Sequence, residues 1–222
     1  MSQLAVLRVD EGVAGEKASL ADSELVAGLA RRESWAFTAA YARYRVPIYS
    51  FLVRLSGRRE LADDLFQETF LQLARHAPRL RPDTELGAWL YTVARNRYRS
   101  HRRTSLLRRL RLQLAALGGG DSQLAAPPAP LTPFEHAAHG DLGRRLEQAL
   151  AQLGEAQREV LLLVGVEGLA QEHAATILGL TPAALRQRLS RARAELQDRL
   201  DKDAAAPAPD RKSASTAPGK TR

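Results

Sequence analysis

The sequence predicts an all-α protein of two small helical domains joined by a flexible linker. Three observations carry that reading. From Asp22 to about Arg103 apolar residues return every three or four positions, as in Leu25, Val26 and Leu29 and again in Leu61, Leu65, Phe66 and Leu73, the period of an amphipathic helix. No segment alternates apolar and polar residues as a half-buried strand does. Residues 118–133, GGGDSQLAAPPAPLTP, hold three consecutive glycines and four prolines, a composition that orders poorly and separates compact units.

Residues 1–21 carry Gly12 and Gly15 among mixed charges without a sustained period, and are expected to form a flexible arm. Helices are expected near 23–31, 35–55, 60–76 and 86–103, which together make a first domain over 22–105. Ser56-Gly57 and the stretch from Pro78 to Thr84 break the pattern, and Pro47 should kink or split the second helix. A linker is assigned to 106–132. Thr132-Pro133-Phe134-Glu135 then combines an N-cap threonine, a proline at the first helical position and a glutamate three residues after the cap. That reciprocal start opens a second domain over 133–200, with helices near 133–151, 156–166, 170–178 and 182–200. After Leu200 there is no Leu, Ile, Val or aromatic residue, so 201–222 are expected to be a disordered tail. Each domain has a size at which a single core is marginal and further contacts add stability.

The formal net charge is +8 and the isoelectric point about 10.4, a balance that favours a polyanionic partner such as nucleic acid or an acidic membrane surface. The absence of cysteine excludes disulfide scaffolds, thiol nucleophiles and cysteine zinc sites, and suits a reducing compartment. The longest apolar run, Val160 to Val166, falls far short of the roughly 20 residues of a spanning helix, and the N-terminus lacks a charged-then-apolar signal pattern. A soluble, cytoplasmic protein without membrane insertion is expected. Catalytic patterns fail on inspection. Gly219-Lys220-Thr221 resembles the end of a phosphate loop, but Ala214 stands where its first glycine belongs. His136 and His139 near Glu135 suit solvated helix positions better than a metal site, and Asp63, Asp64 and Glu68 sit at a helix start, where the dipole favours carboxylates. No catalytic residue, metal, cofactor or small-molecule substrate is assigned, and the chain is read as not being an enzyme.

Two segments carry strong signals. Between Leu86 and Gly120 there is no Asp or Glu, while arginine stands at 95, 97, 99, 102, 103, 108, 109 and 111. Within ARNRYRSHRR the arginines interleave with Asn96, Tyr98, Ser100 and His101, which offer hydrogen bonds and a ring for stacking, so nucleic-acid contact is expected here. Asn96 and Ser100, one turn apart, share a helix face. Further on, AQEHAATIL reads as a short helix, Gly179-Leu180-Thr181 as a turn, and Pro182 as the start of a second helix capped by Thr181: the grammar of a helix-turn-helix. Leu185, Leu189, Ala192, Leu196 and Leu200 form its buried stripe, leaving Ala183, Arg186, Gln187, Ser190, Arg191 and Arg193 to a major groove.

With these residues in view, the chain resembles the bacterial sigma factors of the extracytoplasmic-function group. The likeness runs through DSELVAGLA, AFTAAYARYRVPIYSFLVRLSG, DDLFQETFLQLARH and GAWLYTVARNRYRSHRR, and then through QREVLLLVGVEGLAQEHAATILGLTPAALRQRLSRARAEL, covering roughly 22–103 and 140–200. It implies a subunit that binds core RNA polymerase, recognises promoters and promotes DNA melting. By position, the DDLFQETF helix implies the polymerase-binding surface, with Asp64, Gln67 and Glu68 as its polar contacts and Leu65, Phe66 and Phe70 in the core. Arg95, Asn96, Arg99, Ser100 and Arg103 are the implied minus-ten contacts, the loop from Pro78 to Leu86 implies a receiver for a flipped base, and Trp89 packs in the core. Ala183, Arg186, Gln187, Ser190, Arg191 and Arg193 are the implied minus-thirty-five contacts. Ser100 stands where many members carry aspartate, and His173 is unusual before the turn. An anti-sigma factor is a further partner that the resemblance suggests. A stand-alone helix-turn-helix regulator, and a membrane-surface protein suggested by LLRRLRLQLAAL, are the competing readings.

Overall fold

A computed structural model describes residues 21–116 and 141–205, and among them every regular element is helical. The first domain holds α1 (Asp22–Ala30), α2 (Ser34–Ser56), α3 (Arg59–His76), a 3-10 turn (Ala77–Arg79) and α4 (Leu86–Ala116). The second holds α5 (Asp141–Gln152), α6 (Glu155–Leu161), a π turn (Leu162–Val166), α7 (Gln171–Leu178) and α8 (Pro182–Ala205). The expected arm up to residue 20, the glycine-proline segment, the helix start at Thr132 to Glu135 and the tail from residue 206 lie outside the described residues.

Four elements differ from the expected pattern. α2 runs unbroken through Pro47, although an internal proline costs about 3 kcal/mol. Burial of Ile48, Phe51, Leu52 and Leu55 immediately after it, at roughly 1.5–3 kcal/mol for each side chain, outweighs that cost. α4 continues past residue 103 to Ala116, so the first part of the expected linker is helical. From Ala88 to Ala116 it contains neither glycine nor proline, and leucine, arginine, glutamine and alanine all favour helix. The helix expected over 156–166 ends at Leu161 and becomes a π turn, in which the Glu167 amide donates to the Leu162 carbonyl at 2.9 Å. α8, finally, extends to Ala205.

The first domain is drawn together by Asp22 at the start of α1. Its carboxylate accepts hydrogen bonds from Arg43 Nη1 at 2.9 Å, Tyr44 Oη at 2.9 Å and the Leu86 amide at 3.1 Å. One side chain thus ties α1 to α2 and caps α4 from a distance. Burial, and then the Asp22 carboxylate, push the Tyr44 phenol up to about 12. Gly28 lets α1 approach α2 closely, since a Cβ there would stand 2.7 Å from Ala36 Cβ. Replacing Asp22 with alanine should lower stability by roughly 1–3 kcal/mol, because two donors and an orphaned helix-start amide lose a charged acceptor. A thermal melt followed by circular dichroism checks this, and a melting temperature within a degree of the parent would contradict it.

In the second domain Gly179 ends α7 at φ +67°, and the Leu180 amide reaches back to the Ala175 carbonyl at 2.9 Å. Thr181 Oγ1 accepts from the Ala184 amide at 3.2 Å, capping α8 as the sequence predicts. The two domains do not stand apart. α2 and α4 pack against α5, α6, the π turn and α7, and one cluster of buried residues runs from Leu25 through Tyr98 to Ala192.

Candidate nucleic-acid interface

α4 divides by face. Leu86, Leu90, Tyr91, Ala94 and Tyr98 are buried, whereas Asn96, Arg99, Ser100 and Arg103 are all exposed. Those four positions follow the i, i+3, i+4, i+7 spacing of one helix face. Two arginines, two hydrogen-bonding side chains and no acid anywhere on the helix make a surface suited to a phosphate backbone with bases beside it. Trp89 is half-buried against the core, with its ring centroid 6.2 Å from that of His76.

Arg95 does not share that face. It is 5% exposed; Nη1 donates to the Ile177 carbonyl at 2.8 Å and Nη2 to Glu159 Oε2 at 3.1 Å. Its place on the helix, one residue before Asn96, turns it toward the second domain instead of solvent. Tyr98, expected to offer a stacking ring, is also buried, with the Arg102 guanidinium 6.0 Å from its ring centroid. Arg102 in turn pairs with Glu155. Alongside, the Tyr91 hydroxyl donates to Glu167 Oε2 at 2.5 Å. Burial first, and the facing carboxylate second, push the Tyr91 phenol well above its ordinary range, while burial raises Glu167.

Glu159 is the residue that periodicity alone passed over. A carboxylate directly before the apolar run Val160 to Val166, on a helix that packs into the core, needs a buried cation, and an arginine in the basic helix was the available partner.

On α3, Asp64 and Gln67 are exposed and Leu65 and Phe70 are buried. Phe66 and Phe70 stack at 4.9 Å between centroids and meet Tyr41 and Tyr49 of α2, which fixes α3 on α2 as expected for core residues. Glu68 is more occupied than its neighbours. It accepts from Gln72 Nε2 at 2.6 Å and lies 3.6 Å from Arg97 Nη1, linking α3 to α4.

On α8, Leu185, Leu189 and Ala192 are buried, and Ala183, Arg186, Gln187, Ser190, Arg191 and Arg193 are all exposed. That is the arrangement in which a helix-turn-helix offers its second helix to a groove. Among the described residues no group of three or more His, Asp or Glu side chains could hold a metal ion, and no helix is long and apolar enough to cross a membrane.

Comparison with known proteins finds a family match for each of the two domains. Residues 40–106 match the family model described as Sigma-70 region 2, and residues 143–196 the model described as Sigma-70, region 4. The chain is 35% identical over 156 residues to the ECF RNA polymerase sigma factor EcfG of Rhodopseudomonas palustris, covering 70% of this chain and 80% of that one. It is 33% identical over 187 residues to the RNA polymerase sigma factor CnrH of Cupriavidus metallidurans, covering 82% and 96%. Among solved structures, CnrH in complex with the cytosolic domain of CnrY superposes with a TM-score of 0.60 at 27% identity, covering 82% of this chain and 98% of that one. The sigma factor RpoE of Bartonella quintana, in complex with the anti-sigma factor NepR, does so with a TM-score of 0.53 at 31% identity, covering 70% and 91%. A region 2 block carrying the basic helix, followed by a region 4 block carrying the helix-turn-helix, places this chain in the ECF group of RNA polymerase sigma factors.

Proposed function

We propose that α3, α4 and α8 divide the work of this sigma factor, with Asp64, Gln67 and Glu68 on core polymerase, the exposed face of α4 on the minus-ten strand and α8 on the minus-thirty-five element. The observation that carries the reading is the face of Asn96, Arg99, Ser100 and Arg103 on an acid-free helix. Arg99 and Arg103 neutralise phosphates, which positions the strand. Asn96 and Ser100 present short hydrogen-bonding groups to base edges, which specify it. Arg95 joins them only when it leaves its pair with Glu159.

Opening a duplex costs about 1.4 kcal/mol for each base-pair step. A face that binds the unpaired strand better than the duplex offsets that cost by differential affinity, with no hydrolytic step. The polymerase performs the chemistry and this chain selects the site, in the cytoplasm where both are found. The domains divide at the linker, the first serving polymerase and the minus-ten strand and the second the minus-thirty-five element. RpoE and CnrH are known in complexes with NepR and with the cytosolic domain of CnrY, and an anti-sigma factor is the further partner proposed here.

Alanine at both Asn96 and Ser100 should shift the preferred minus-ten bases and reduce promoter opening in the holoenzyme, detected as permanganate reactivity of unpaired thymines. Preference and opening that both survive would make these side chains bystanders.

A further inference from the structure

The last turns of α4 stand out from the body of the protein. From Arg103 to Gln113 every residue except Ser105 is exposed, so roughly 16 Å of helix lies in solvent at a rise of about 1.5 Å per residue. Three leucines on this stretch, Leu106, Leu107 and Leu110, are 59%, 48% and 45% exposed. They follow Arg103 at the i+3, i+4 and i+7 spacing of one helix face, and the sequence places a further leucine at 114. The stripe therefore continues the line of Asn96, Arg99, Ser100 and Arg103. Arg109 and Arg111, on either side of Leu110 in sequence, flank it, and Leu112 falls outside it. No Asp or Glu occurs anywhere between Leu86 and Gly120.

Three occupants of this face differ in what they satisfy. A second copy of the chain would cover the leucines but set arginines against arginines, at a cost that like charges carry on any packed helix pair. A single DNA strand would give its phosphates to the arginines but no continuous apolar surface to the leucines. An anionic bilayer meets both: acyl chains take the leucines and headgroup phosphates take the guanidinium groups, whose aliphatic stems span the boundary between them.

We infer that the end of α4 lies flat on an anionic membrane surface, and that a chain bound in this way has its minus-ten face turned to lipid and withdrawn from DNA. The second half of this inference rests on the reading of Asn96, Arg99, Ser100 and Arg103 as the minus-ten face. The helix adsorbs without crossing, in keeping with the finding that no described helix is long and apolar enough to span a membrane. A stripe this short gives reversible binding, so that core polymerase with promoter DNA competes with the bilayer for one pool of the protein.

Flotation of the full chain with vesicles tests the contact. The chain should float with an equal mixture of phosphatidylglycerol and phosphatidylcholine and stay behind with phosphatidylcholine alone. Because the net charge of +8 attracts any anionic surface, the informative variant keeps that charge: Leu106→Gln, Leu107→Gln and Leu110→Gln together. Glutamine favours helix about as well as leucine, and the three side chains are exposed, so circular dichroism should be unchanged. This variant should bind the anionic vesicles about tenfold more weakly or worse. The same vesicles should suppress run-off transcription by the parent chain with core polymerase about tenfold, and suppress that of the variant far less. Without vesicles, parent and variant should transcribe equally. Equal flotation of parent and variant would reduce the contact to bulk charge and overturn the inference. So would loss of transcription by the variant without vesicles, which assigns the leucines to DNA or polymerase, or a parent dimer in sedimentation that the variant dissolves, which assigns them to a second copy. In each of these cases the parent still initiates with core polymerase and the sigma-factor reading stands. Loss of the parent's own transcription without vesicles would strike that reading instead.

Discussion

Reversing the charge of Asp64 to lysine should weaken the complex with core RNA polymerase by roughly 10- to 100-fold, the scale of about 1.4–2.8 kcal/mol expected when one partner of an interfacial charge contact is inverted. Asp64 is exposed on α3, beside Gln67 and opposite the buried Leu65 and Phe70, so the fold has no stake in its sign. Helical circular dichroism should therefore be unchanged. Glu68→Lys added to it should weaken binding further but also lower stability, because Glu68 lies 3.6 Å from Arg97 and 3.9 Å from Arg75. The single variant isolates polymerase contact and the double variant mixes it with the α3–α4 junction. Unaltered co-elution of Asp64→Lys with core enzyme would remove α3 from the polymerase surface.

The arginines of α8 should divide into two roles. Arg186 and Gln187 lie in the first turns after the Thr181 cap, where a recognition helix meets base edges; Arg193, nearly two turns later, is placed for a backbone phosphate. Arg186→Ala should cost on the order of 1–3 kcal/mol on the preferred upstream element and much less on unrelated DNA, relaxing specificity at one or two bases. Arg193→Ala should weaken all sequences alike and reduce the salt dependence by about one unit of slope. Both residues are exposed while the helix is held by Leu185, Leu189 and Ala192, so neither substitution touches the core. Holoenzyme binding to upstream-element variants across a salt series separates the two. Equal, sequence-independent losses would mean that the helix grips the backbone without reading bases at Arg186.

The helix-turn-helix was legible nearly residue by residue because its signals are local. Gly179 supplies the left-handed φ, Thr181 the cap and Pro182 the first helical position, and each is fixed by chemistry within a few residues. The six residues proposed to meet a groove were picked out as lying off one apolar stripe, and all six are exposed. Pro47 misled because a local penalty was overruled by packing that local sequence does not display. Arg95 and Tyr98 misled for a related reason. Their helix face was correctly basic and aromatic, but which side of it meets solvent depends on a second domain joined through more than twenty intervening residues. The same distance hid Asp22, whose bond to the Leu86 amide crosses the whole first domain. His173, unusual for its position, lands on Glu85 at the domain junction, a pairing that its own helix could not announce.

Transcription itself offers the decisive comparison between a sigma factor and a stand-alone regulator. Purified chain, core RNA polymerase and genomic fragments should together yield run-off transcripts from a small set of start sites, with neither protein alone giving them. The same start regions should then become permanganate-reactive in the minus-ten segment. Tight, sequence-specific binding of those fragments by the chain alone, with no dependence of transcription on adding it to core enzyme, would contradict promoter selection as its function.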